Sequence, residues 1–257
     1  MKTDDALKTY RTKRKIAQQR FGNAQVIEKQ YARQLRQVAK QIGHLVTGMS
    51  DEELLADSRR IEEAMKRYSD LLNPWAKSVA KKMLAQVGLR NDKAWHDLGK
   101  EIGRNLNIEI QSTPTGNLMV ELLNEQVSYI TSMPLKAAQR VHELTLEGIT
   151  KGTRASEITK EILRSGKVSE GKAKLIARTE VARTASILTQ ARSAQVGSEG
   201  YFWRTVKDAD VRHSHKEMEG KFIKWSDPPT LSDGTTTHAG QIFNCRCHPE
   251  PYLPELD

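Results

Sequence analysis

The chain changes its pattern at Gly200, and that change constrains the fold more than any other feature. Upstream, apolar residues recur at helical spacing, and most of the glycines and prolines fall where those runs stop. Downstream, residues 203–257 hold four of the seven histidines, both cysteines and two of the four tryptophans. A basic, helix-rich chain has no packing reason to gather its soft metal donors, aromatics and turn residues into one terminal block. The expected class is therefore mainly α with a small C-terminal α+β part: helical hairpins or a bundle, then a compact region of short antiparallel strands.

Ile27, Tyr31, Leu35, Val38, Ile42 and Leu45 form one apolar stripe, which predicts a helix packed on a partner. Ser50-Asp51-Glu52-Glu53 has the form of a capping box and predicts a helix from Asp51 to Leu72, ending before Asn73-Pro74. A second helix is expected from Trp75 to Val87, stopped by Gly88, and a third from Lys93 to Leu106. After a loop at Ser112–Gly116, helices are expected at 118–131 and 134–148, with Pro134 opening or kinking one. A short helix then spans 155–163 and ends at Gly166, and Ser169 caps a long one that stops near Gly197–Gly200. Tyr201–Val206 and Phe222–Trp225 are aromatic and β-branched and predict strands, with a third over Ile242–Cys247 and an irregular tail from Pro249. The domain boundary falls at 112/113, giving a basic arm and helical region (1–112) and a second domain (113–257) with helices over 118–197 and strands over 201–250.

No stretch approaches the ~18 apolar residues that span a bilayer, and the N-terminus lacks a secretory apolar run, so no membrane partner is expected and the chain should work in a cytoplasm or in something assembled there. Two cysteines two positions apart close almost no loop, which favours free thiols. Residues 1–40 carry eleven Lys/Arg against three acids, which supplies +8 of the net +9. A cationic arm ahead of a balanced body, with Arg11, Lys13, Arg14, Lys15 and Arg20 at its centre, points to phosphates or an acidic protein surface.

His213-x-His215 and Cys245-x-Cys247 are the candidate metal ligands. Residues two apart on an extended segment point to one side, and two imidazoles with two thiolates make a closed, structural zinc site. The competing reading has the cysteines as small buried hydrophobes and the histidines bonded to loops. His238 and His248 compete with His213 for the last ligand place. Asp208 and Arg212 read best as a turn-capping acid with its paired cation, Glu180 as a partner for Arg212 or Arg246 or a surface charge, and Trp203 and Trp225 as core. No motif pairs a nucleophile with a base, so a non-enzyme is expected.

The order Ala177-Arg178-Thr179-Glu180, then Trp203, Asp208, Arg212-x-x-His215 and Gly220, then Asn244-Cys245-Arg246-Cys247 resembles the phage Mu F-like head morphogenesis family of minor capsid proteins, over about residues 118–250. Relatives often carry Pro at the position of His213, which favours His215 as the ligand. The resemblance implies a low-copy internal virion protein that joins the portal during procapsid assembly and acts in DNA packaging or ejection. The implied partners are the portal, the major capsid or scaffold protein, and packaged double-stranded DNA through the basic arm. The alternative is a metal-dependent nuclease with Asp208, His213, His215 and Glu180 around the ion.

Overall fold

The computed structural model describes residues 20–22, 24–47, 58–101, 106, 114–153 and 155–253. Most of them are helical: α1 Gln25–Thr47, α2 Ser58–Glu101, α3 Gly116–Thr150 and α4 Ala155–Gln195 precede β1 Gly200–Arg204, a one-turn α5 His213–Lys216, β2 Phe222–Lys224 and β3 His248–Tyr252. None of these helices is long and apolar enough to cross a membrane. They form two compact units, each drawn from separated stretches: one from Val26–Leu84 and Asn117–Ala177, the other from the described residues of Met1–Gln25, Ala85–Gly116 and Arg178–Asp257. The capping box at Ser50–Glu53 and the 112/113 boundary lie outside the described residues.

In the first unit the α1 stripe is the buried face, with Ile27, Tyr31, Leu35, Val38 and Ile42 inside and Val46 rather than Leu45 closing it. Tyr31 Oη donates to Gln126 Oε1 of α3 at 2.8 Å, a buried polar pair that fixes the register of the two helices. Gly148 lies where a Cβ would stand 2.4 Å from Ile158, so glycine is what lets α3 and α4 approach.

Four expected helix boundaries do not exist. α2 runs unbroken through Asn73-Pro74 and Gly88. Its buried positions Ile61, Met65, Ser69, Leu72, Ala76, Ala80, Met83, Val87, Asn91, Ala94 and Leu98 keep one helical phase throughout. Pro74 is exposed, and so is Asp70, whose carbonyl loses its helical amide on the exposed face of α2. α4 likewise continues through Gly166. Pro134 sits inside α3, neither opening nor ending it. Hydroxyls bind the carbonyls around it: Thr131 Oγ1 donates to Val127 at 3.0 Å, Ser132 Oγ to Tyr129 at 2.9 Å, and Ser69 Oγ of α2 to Thr131 at 2.7 Å.

In the second unit, α4 ends as expected. Gly197 takes a φ of +75°, and the Ser198 amide reaches back to the Ser193 carbonyl at 2.8 Å. β1 then enters as the middle strand of an antiparallel sheet ordered β2-β1-β3. Its alternation sends Tyr201 and Trp203 to a core with Met218, Ile223, Leu231, Ala239, Cys245 and Cys247. Phe202 faces the other way, against Phe222 and Tyr252 at 5.7 and 6.0 Å.

The third strand is not the expected 242–247 segment but the Pro-rich tail. Pro249 and Pro251 pair with Trp203 and Tyr201. Trp203 bonds through both its amide and its carbonyl to the β2 side. At those two register positions the β3 residues therefore turn their nitrogens outward, where a missing N–H costs no ladder bond. A second cluster of Phe21, Ala94, Trp95, Leu98, Leu106, Val196 and Leu253 packs the described residues before α1 and after β3 against α2 in this unit. Phe21 meets Trp95 edge-on at 5.3 Å.

Candidate functional site

The upstream motif residues converge on one turn, Phe243–Cys247. Asn244 stands at its apex with φ +55°, a conformation that Asn tolerates better than most residues. Arg178 Nη1 of α4 donates to Asn244 Oδ1 at 3.0 Å, and the Asn244 amide donates to Thr179 Oγ1 at 2.8 Å. Arg246 is held by both carboxylate oxygens of Asp208, at 2.8 and 2.5 Å, with Asp210 at 3.5 Å. Such a two-point ion pair fixes direction as well as distance. Arg212 Nη2 donates to the Phe243 carbonyl at 3.0 Å. His215, buried on α5, places Nδ1 3.3 Å from Cys247 Sγ and 3.5 Å from Cys245 Sγ. The expected pairing of Asp208 with Arg212 is thus replaced by Asp208 with Arg246.

Supporting contacts set this clasp. Gly220 has φ +77° and returns its amide to the Trp203 carbonyl at 2.8 Å, so it closes the 204–219 excursion onto β1. The Trp203 ring stands edge-on to His215 at 5.7 Å. Ser214 Oγ donates to Asp233 at 2.8 Å, which orients α5, and hydrogen bonds from Thr235 and Ser214 hold the Asp233 carboxyl below its ordinary range. Gly240, at φ +84°, passes so close to the Cys247 carbonyl that a Cβ would stand 2.9 Å from it. Ser186 of α4 donates to the Ala239 carbonyl at 2.7 Å.

Among the described residues, His215, Cys245 and Cys247 form the group able to hold a metal, with donor atoms within 4.8 Å of one another. Both cysteines are free and buried. They share protons unequally: the Cys247 thiol and His215 pull Cys245 well below the ordinary thiol range, while its bond to Cys245 and its burial push Cys247 up.

The other histidines are engaged elsewhere. His213 is 87% exposed and faces Glu217 at 3.4 Å. His248 packs over Gly22, where a Cβ would come within 2.8 Å of the ring. His238 Nδ1 shares a hydrogen bond with Tyr201 Oη at 3.1 Å, and the ring also bonds the Trp225 backbone. Glu180 is buried, with Arg183 at 3.8 Å. Of the basic arm, Arg11, Lys13, Arg14 and Lys15 lie outside the described residues, and the Arg20 carbonyl accepts from Arg90 at 3.3 Å.

Burial lowers the His238 pKa from its ordinary 6.5, so the folded chain binds fewer protons than the unfolded chain just below that pH. Stability is expected to fall as pH drops through about 6.5. Urea unfolding at about pH 7.5 and 5.5 should show a smaller loss in His238→Gln than in the parent, and equal losses would refute the assignment.

Residues 139–249 match the family described as phage Mu protein F like protein. That segment is similar to the Mu F-like family. The match ends two residues beyond Cys247 and includes every residue of the clasp. An uncharacterized protein of Haemophilus influenzae is 29% identical over 158 residues, covering 61% of this chain and 34% of its own length. The chain therefore spans about a third of that relative. No solved structure gives a significant match.

The Mu F-like motif was readable before the fold, but some of its partners were not. Arg204 bonds Glu250 through Nε and lies 3.6 Å from Glu219, whose carboxylate also accepts from the Thr205 amide and hydroxyl. The only signal for this network was a charge at the end of an aromatic strand. Ser186 and Gly240 gave none, because they act through close approach.

Proposed function

We propose that this chain is a structural head-morphogenesis protein of a tailed phage: a low-copy component inside the virion, assembled in the host cytoplasm, that associates with the portal. The observation that carries this reading is the use made of the motif. Arg178, Thr179, Asp208, Arg212 and His215 are all spent on holding the 243–247 turn. A motif consumed in internal bonds builds a shape for other proteins to meet, and the Mu F-like match supports a head protein. The nuclease reading needs Asp208, His213, His215 and Glu180 around one ion, whereas Asp208 grips Arg246 and His213 faces Glu217.

Mass spectrometry of purified particles from the encoding phage should find the chain in heads, at a few copies per portal ring. Its absence from both procapsids and mature particles would overturn the proposal.

The basic arm supports a second part of the reading, contact with packaged double-stranded DNA through Arg11, Lys13, Arg14, Lys15 and Arg20. Neutralising about six phosphates makes affinity fall by orders of magnitude between about 50 and 200 mM salt. DNA binding by the full chain should show that slope and lose it when these five residues become alanine. Affinity that is insensitive to salt would assign the arm to a protein surface instead.

A further inference from the structure

We propose that His215 Nδ1, Cys245 Sγ and Cys247 Sγ form a zinc-class metal site that locks the 243–247 turn. Zinc bonds of ~2.3 Å to sulfur and ~2.05 Å to nitrogen, set at the tetrahedral angle, hold S and N about 3.5 Å apart. The observed separations from Nδ1 to the two sulfurs are 3.3 and 3.5 Å. Both nitrogen-to-sulfur separations therefore already match the edges of a tetrahedral site, and all three donor atoms lie within 4.8 Å of one another.

Two further features point the same way. The Cys247 amide donates to Cys245 Sγ at 3.3 Å, a backbone N–H aimed at sulfur that stabilises thiolate charge and orients the ligand. Among the described residues, His215 Nε2 is buried with no hydrogen-bond partner, so the ring spends a buried polar atom to aim Nδ1 at the sulfurs. Two soft thiolates with one imidazole favour zinc over magnesium or calcium, which take oxygen donors. The fourth position falls to water or a small exchangeable donor, because His213 is turned to Glu217 and His238 to Tyr201. This inference corrects the expected two-histidine set and stands independently of the head-protein reading.

The test is metal analysis of the purified full chain, followed by cobalt(II) titration of the chelated protein. The expected result is about one zinc per chain and, with cobalt, a sulfur-to-metal charge-transfer band that one equivalent of zinc abolishes. Cys245→Ser and His215→Ala should each lose stoichiometric binding, whereas His213→Ala keeps it. Circular dichroism of the chelated parent separates loss of metal from loss of fold. A folded parent that takes up neither ion overturns the proposal, as does binding that depends on His213 rather than His215.

Discussion

Trp203→Ala is expected to destabilise the unit that contains it by about 3–5 kcal/mol, the usual cost of emptying a fully buried tryptophan site. Trp203 is 0% exposed and occupies the middle strand. Its ring backs the cluster that includes both cysteines and stands edge-on to His215. The loss should thus reach past the sheet to the clasp: the variant should also free Cys245 and Cys247 to thiol reagents. Trp203→Phe, which keeps an aromatic edge toward His215, should recover about half of the stability. Urea unfolding followed by circular dichroism measures both variants, and a Trp203→Ala cost below about 1 kcal/mol would contradict the packing described.

The second large effect is expected at Arg204. Its guanidinium meets Glu250, which is 4% exposed, and stacks over Phe202 at 5.6 Å. Glu219 and Lys207 extend the network outward, and against the opposing effect of burial, hydrogen bonds from Thr205 and the charges of Lys207 and Arg204 hold the Glu219 carboxyl below its ordinary range. Arg204→Ala removes the cation opposite a buried carboxylate and is expected to cost about 3–5 kcal/mol. Replacing both members, Arg204→Met with Glu250→Leu, should cost much less, because the penalty comes from stranding a charge rather than from losing an attraction. A double variant no more stable than Arg204→Ala would show that the pair is not the source of the loss.

Much of the fold was legible because it rests on periodicity. The α1 stripe, the stop at Gly197 and the first two strands all follow from local spacing and turn chemistry. The differences share one cause: proline and glycine punctuate local structure only where tertiary packing does not decide otherwise. At Pro74 the buried phase continues from Leu72 to Ala76, so burial on one face outweighs one lost hydrogen bond on the other. At Pro249 and Pro251 the ring sits where an edge strand needs no donor, which becomes visible only once β1 is known to be central.

The candidate site divided in the same way. Spacing picks out His215, Cys245 and Cys247, and these come together in the structure. The same i, i+2 logic also picks out His213, but it holds for an extended segment. The segment is a one-turn helix, where residues two apart point in different directions, so His213 turns to solvent. Asp208 does pair with a cation, but with Arg246 rather than the nearby Arg212, because that partner lies 38 positions away across the clasp.

The claim that the motif exists to hold the Phe243–Cys247 turn is tested most directly by amide hydrogen exchange at Asn244, Cys245 and Cys247. Their amides bond Thr179 Oγ1, the Ile242 carbonyl and Cys245 Sγ, respectively. In Thr179→Val with Arg178→Ala, made in the full chain, exchange at these three amides should rise by about tenfold or more while amides of the β1–β2 ladder stay protected. Unchanged protection at Asn244 and Cys245 in that variant would contradict the clasp.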